Sequence, residues 1–179
     1  MYFQVKFSQI INKYIMKKGI TSKSIWYAPK ELFNDRNDVT SVFDKIYLND
    51  MWGNGSGGGS LPDAAKPYIN FLQKFFSKYC IHSVVDMGCG DWQFSKFIDW
   101  SGISYLGIDV VENVISKDIT EYQSQNISFK CINVLENGFT EIPNSDLVII
   151  KDVFQHLSNR NVIRMINGLL NGNTLVQIR

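Results

Sequence analysis

At 179 residues, with 45% apolar and 13% aromatic side chains, the chain suits one domain, or one domain with an N-terminal extension, and its aromatic content argues against a long disordered tail. Lys and Arg total 18 against 17 for Asp and Glu, a net charge of +1, which speaks against a broad polyanion-binding surface and so against a nucleic-acid partner. The three cysteines, Cys80, Cys89 and Cys131, are odd in number and lack a Cys-x-x-Cys spacing, which argues against a disulfide framework and a structural zinc and fits free thiols in a reducing, cytoplasmic setting.

The N-terminal stretch Phe3 to Lys18 places Phe3, Phe7, Ile10, Ile11, Tyr14 and Ile15 at helical spacing. Lys6, Lys13, Lys17 and Lys18 interrupt it, so it is not read as a secretory signal, and no run approaches the roughly 20 apolar residues of a membrane span. A helix packed on the domain is favoured over a membrane contact. A second helix is expected over Val39–Leu48, where Val39, Val42, Phe43, Ile46 and Tyr47 form one face.

Residues 53–60, Gly-Asn-Gly-Ser-Gly-Gly-Gly-Ser, have flexible-linker composition. Ser60-Leu61-Pro62-Asp63 reads as a helix start with Ser60 as N-cap, opening a helix to about Tyr79 in which Pro67 could displace the start. From Ser83 the rhythm becomes strand–helix alternation. Strands are expected at 83–87, 105–109, 127–132, 146–150 and 174–178, and helices at 91–100, 112–122 and 161–170. Apolar strands alternating with helices imply a parallel sheet covered on both faces.

Ligands of such sheets bind beyond the strand C-termini. The first strand runs into Asp86-Met87-Gly88-Cys89-Gly90-Asp91-Trp92, whose glycines permit a sharp turn and a close backbone approach, and the following helix would present free N–H groups. Gln93 stands where a dinucleotide fingerprint needs its third glycine, so a nicotinamide enzyme is disfavoured. Asp86 is placed to order the turn and to sit near a cationic ligand. Asp109, ending the second strand, could accept hydrogen bonds from two ribose hydroxyls or cap the next helix.

The run 84–91, Val-Val-Asp-Met-Gly-Cys-Gly-Asp, together with Leu106-Gly107-Ile108-Asp109, resembles the first two motifs of class I S-adenosylmethionine-dependent methyltransferases. Residues 129–134 fall where that family places a residue near the adenine, here Asn133 rather than the commoner Asp. Residues 146–157 match its fourth-strand motif with the following His-Leu, and Ser56 to Ser60 is similar to an element upstream of the first motif in some bacterial members. Trp92 departs from a frequent third glycine and is expected to narrow the pocket. The resemblance covers roughly residues 52–179.

It implies an α/β, Rossmann-like methyltransferase sheet with S-adenosylmethionine as cofactor and no metal. The implied cofactor-binding residues are Asp86, Gly88, Cys89, Gly90, Asp91, Trp92, Asp109, Val110, Asn133, Val134 and Lys151. His156, one of two histidines, is the first candidate for a base that deprotonates the acceptor, with Asp152 second; each could instead cap, pack or bind cofactor. His82, at the opposite end of the sheet, is read as structural. The expected division is a helical extension with a Gly/Ser-rich lid over 1–60 and the cofactor-binding domain over 61–179.

The family's sheet has seven strands and five are counted here, so the sheet is expected to be truncated after strand 5. That leaves an open apolar edge through which a homodimer could pair, and a truncated, non-catalytic or partner-dependent protein stands as the alternative reading. By exclusion, the acceptor is expected to be a small molecule or a glycan. Trp52 would stack on cofactor or acceptor, or serve as a core residue of the cap.

Overall fold

The computed structural model describes residues 38–137, 139–170 and 175–178. The expected N-terminal helix lies outside the described residues. Helix α1 (Val39–Leu48) begins at Asp38, whose carboxylate accepts hydrogen bonds from the Thr40 and Ser41 amides, and it buries Val42 and Ile46.

Helix α2 spans Pro62–Tyr79. The expected Ser60 cap is corrected. Residues 58–60 form a 3-10 turn, Leu61 is the N-cap with no side-chain bond, and Pro62 opens the helix, its fixed φ suiting the first turn. Pro67 does not displace the start.

The sheet comprises β1 (Ser83–Met87), β2 (Ser104–Asp109), β3 (Ile127–Cys131), β4 (Leu147–Ile150) and β5 (Leu175–Ile178), all parallel, in the order β3-β2-β1-β4-β5. Among the described residues, β5 pairs with β4 alone. The remaining helices are α3 (Glu112–Tyr122), the single turn α4 (Val134–Asn137), which sequence periodicity missed, and α5 (Asn159–Leu170).

The strand period of two divides the core cleanly. Val84, Tyr105, Leu147 and Ile149 face a layer with α2 and Ile115, while Val85, Met87, Leu106, Ile108, Val148 and Ile150 face Leu135, Met165 and Leu169. At the N-terminal end of the sheet, Asp146 accepts from the His82 and Ser83 amides and its own amide donates to the Ser83 hydroxyl, locking β1 beside β4. The first of those bonds leads in holding its pKa down.

The helix expected over 91–100 is corrected as well. Trp92 adopts φ +55°, in the left-handed region, and only Ser95–Phe97 forms a 3-10 turn. The Trp100 indole N–H donates to the Ser95 carbonyl at 2.9 Å, inside the core, closing this segment as a packed loop.

On α3, Asp118 is fully buried and neither carboxylate oxygen has a hydrogen-bond partner among the described residues. Burial, then Asp91, Asp109 and Glu121, raise its pKa to about 8, against a smaller opposing effect of Lys117. The unfolded value is about 3.9, so folding takes up a proton between the two and stability falls as pH rises across that window. Asp118→Asn should therefore flatten the decline in Tm between pH 5 and pH 8 and raise Tm at pH 8, as thermal unfolding would record.

Candidate active site

The order of the sheet reverses between β1 and β4, where connections leave in opposite directions and open a crevice at the strand C-termini. A cavity of about 910 Å³ occupies that place. Its floor comes from the ends of β1, β2 and β4: Asp86 to Gly90, Ile108 to Val110, and Lys151 to Leu157. Residues 132–135 add a side wall. The opposite wall comes from α1 and the glycine-rich segment, through Val39, Phe43, Tyr47, Trp52 and 56–60.

Asp109 organises the turn. Its Oδ2 accepts from the Gly90 amide at 3.1 Å, and its Oδ1 from the Val110 and Val111 amides at 2.7 and 3.1 Å. A carboxylate offers about four acceptor sites, so three are taken and Oδ2 retains one. Asp109 orders the turn before α3 and has room for one further donor. Burial raises its pKa against the opposing effect of these amides.

The Gly88 and Cys89 amides both donate to the Ile108 carbonyl, and the Asp91 amide donates to the Ser56 hydroxyl. With Gly90 bonded to Asp109, four consecutive amides are committed to protein acceptors. The loop is therefore not a ring of free N–H groups of the kind that cradles a phosphate, and no helix follows it to supply more.

Asp86 is 4% exposed, accepts a 2.9 Å hydrogen bond from the Tyr105 hydroxyl, and has no bond to the turn it was expected to order. Burial raises its pKa to about 7, against lowering by Tyr105 and Lys151 and a further push upward from Asp109. Lys151 is buried. Its ammonium donates to the Gly59 carbonyl and to Asp152 Oδ2 and lies 5.0 Å from the Phe94 ring centre. It is the one lysine or arginine among the described residues lining the cavity. Asp152 holds φ +58° at the end of β4. His156 closes the 3-10 turn Phe154–His156, and burial lowers its pKa while Asp152 opposes the shift.

The cavity therefore brings together Asp86, Gly88, Cys89, Gly90, Asp109, Val110, Asn133, Val134, Lys151, Asp152 and His156. Asp91 and Trp92 lie outside its lining. Trp92 does not narrow the pocket. It packs in the core at 4.9 Å from Tyr122 and 5.5 Å from Phe129, because its left-handed backbone turns the side chain under the sheet. Asp91 Oδ2 accepts from the Ser56 amide and the Gln93 side chain, so it anchors the wall rather than facing the cavity. Asn133 lines the cavity while its amide group bridges Thr40 Oγ1 and the Leu135 amide.

Sequence reasoning missed Phe43, Tyr47 and Phe94 as cavity residues and gave no bonding role to Ser56. Its hydroxyl bonds Tyr47 at 2.7 Å, and Gly90 is glycine for that reason: φ is +59°, and a Cβ there would collide with Ser56 Oγ and stand 3.0 Å from the Tyr47 hydroxyl. The signal available was the Ser-Gly-Gly-Gly-Ser spacing itself.

Fold and cavity together define a doubly wound α/β protein with a ligand site at its switch point. A family model described as a methyltransferase domain matches residues 85–175, just over half of the chain, and the chain belongs to that family. Its structure is similar to the methyltransferase domain of bacterial CtHen1, with a TM-score of 0.55 and 14% identity over 63% of this chain and 64% of that one. It is also similar to the N-methyltransferase NodS from Bradyrhizobium japonicum WM9 in complex with S-adenosyl-L-homocysteine, at 0.52 and 17% identity over 82% and 68% of the two chains. The bifunctional kinase-methyltransferase WbdD gives 0.51 and 20% identity over 64% and 28%. These likenesses concern the fold, and the chain spans less than two thirds of the CtHen1 domain. No curated protein sequence matches the chain. No described helix is long and apolar enough to cross a membrane.

Ser56→Ala would leave the half-buried Asp91 amide without its acceptor, a loss on the order of 1 kcal/mol. A lower Tm and faster proteolysis within residues 53–60 are the expected results.

Proposed function

We propose that the chain binds S-adenosylmethionine in this cavity and transfers its methyl group to a small-molecule acceptor, a glycan among the candidates. The observation that carries the reading is Asp109. It is a carboxylate at the end of β2 with one acceptor site free, lining a cavity at the switch point beside the Gly88–Gly90 turn. The donor set fits the cofactor. Asp109 would take a ribose hydroxyl, Asp86 would face the cationic amino group, Lys151 the carboxylate, and Val110, Asn133 and Val134 would border the adenine. The lack of uncommitted amides in the loop fits a cofactor without phosphates.

When bound, the cofactor supplies a methyl group on a sulfonium, and transfer leaves the carbon–sulfur electron pair on sulfur. The chain's own contribution is to hold the acceptor in line and exclude water. His156 would take the proton released by an acceptor hydroxyl or amine. Its lowered pKa favours the neutral imidazole that this role needs. Asp152 is the weaker candidate, its charge already engaged by Lys151.

Calorimetric titration of the full chain with S-adenosylmethionine and S-adenosylhomocysteine should give saturable binding that is lost in Asp109→Ala. A folded chain that binds neither compound would refute the proposal and favour the non-catalytic alternative.

Because Asp86 ionises near pH 7 and only its ionised form attracts a cation, affinity should tighten as pH rises from 5.5 to 7.5. Asp86→Asn should bind more weakly with that dependence removed, which the same titrations would reveal.

A further inference from the structure

Four rings meet beside the cavity, and three of them, Phe43, Tyr47 and Trp52, lie outside residues 85–175 that the family model matches. Trp52 and His156 pack as a tilted pair, centroids 4.7 Å apart and planes at 34°. Phe43 stands edge-on to both, at 5.8 Å from Trp52 and 6.3 Å from His156, and Tyr47 stands edge-on to Trp52 at 5.8 Å. Offset and edge-to-face arrangements at these separations are the favourable ones for aromatic groups.

Two of these contacts converge on His156, just beyond the end of β4. It ends a three-residue 3-10 turn that has no side-chain cap. Rotation of an imidazole about χ2 is broad, and a packed ring face narrows it. Trp52 is itself well held. Its segment is tied down by Ser56 to Asp91 and Tyr47, and by the Gly59 carbonyl to Lys151. The groups bearing on the imidazole include Trp52 and Phe43 from the N-terminal wall, Gln155 beside it, whose side-chain nitrogen lies 3.4 Å from Nε2, and the Asp152 carboxylate at the end of β4, itself paired with Lys151.

We propose that Trp52 is a positioning residue, its indole face fixing the orientation of the His156 imidazole toward the acceptor half of the cavity. This rests on the methyl-transfer reading given above, in which His156 accepts the acceptor's proton. In this arrangement the sheet supplies the cofactor site and a segment far away in sequence sets the aim of the base.

The test is a proton NMR titration of the full chain. It has two histidines, and His82→Gln assigns their ring signals. In the wild type, His156 ring protons should be displaced upfield by the indole ring current and should show nuclear Overhauser contacts to Trp52. In Trp52→Ala the displacement should be lost and the His156 titration midpoint should rise as the ring becomes solvated. Trp52→Phe, which keeps an aromatic face, should retain both features in part. Undisplaced His156 signals in the wild type, or a Trp52→Ala titration identical to wild type, would overturn the proposal. If Trp52→Ala does not fold, the wild-type contacts and Trp52→Phe decide the matter.

Calorimetry separates the two layers. Loss of S-adenosylmethionine binding in a folded Trp52→Ala variant would place Trp52, which lines the cavity, on the cofactor and overturn the proposal. If the wild type binds no cofactor, the methyl-transfer reading fails while the ring measurements still report on the Trp52–His156 contact.

Discussion

The Asp109 carboxylate joins the two halves of the site. It draws the Gly90 amide toward the end of β2 and at the same time ties down the Val110 and Val111 amides that lead into α3. Without that carboxylate the β1 turn and the β2 end would have no common acceptor. Three buried or half-buried N–H groups would need other partners, and an unmade bond of this kind is costly. The position of Gly90 in turn permits the approach of Ser56 and Tyr47, and through them the N-terminal wall reaches the sheet. One carboxylate thus stands at the start of a chain of contacts that ends at the rings around His156.

The wall is the more individual part of the molecule. Glycine-rich composition commonly means a loose connection, yet here glycines serve close packing. Gly55 and Gly57 adopt positive φ, and a Cβ on Gly55 would collide with the Asp91 carboxylate. The segment meets the site at three places: the β1 turn through Ser56, the end of β4 through Gly59, and the 3-10 turn of His156 through Trp52. The cavity is therefore a joint product of the sheet and of residues that precede it by more than a helix.

Charge is arranged economically. Asp86, Asp109 and Asp152 all line the cavity, and Lys151 is the cation placed among them. Its ammonium answers Asp152 directly and lowers the pKa of Asp86 from a distance, while the Phe94 ring covers it. An excess of carboxylate over ammonium suits a cationic ligand. Asp118, by contrast, is a buried carboxyl outside this balance, and it makes the fold sensitive to pH for reasons separate from the site.

Much was legible in the amino-acid order because it depends on neighbours along the chain. The short, continuous apolar runs around Val84, Val85, Leu106 and Ile108 identified buried strands, the apolar spacing of α1, α2 and α5 identified helices, and Asp86, Gly88, Gly90 and Asp109 fell at strand ends where a parallel sheet places its ligands. What only the tertiary structure decided are the contacts between distant segments. Trp92 turns into the core rather than the pocket, Asp91 Oδ2 holds the Ser56 amide, and the loop at 91–100 closes on the Trp100 indole instead of forming a helix. Trp52 finds His156 across about a hundred residues of sequence. Periodicity and turn chemistry report the energy of a residue with its near neighbours. They carry no information on which side chain from another segment will compete for the same hydrogen bond or the same face of a ring.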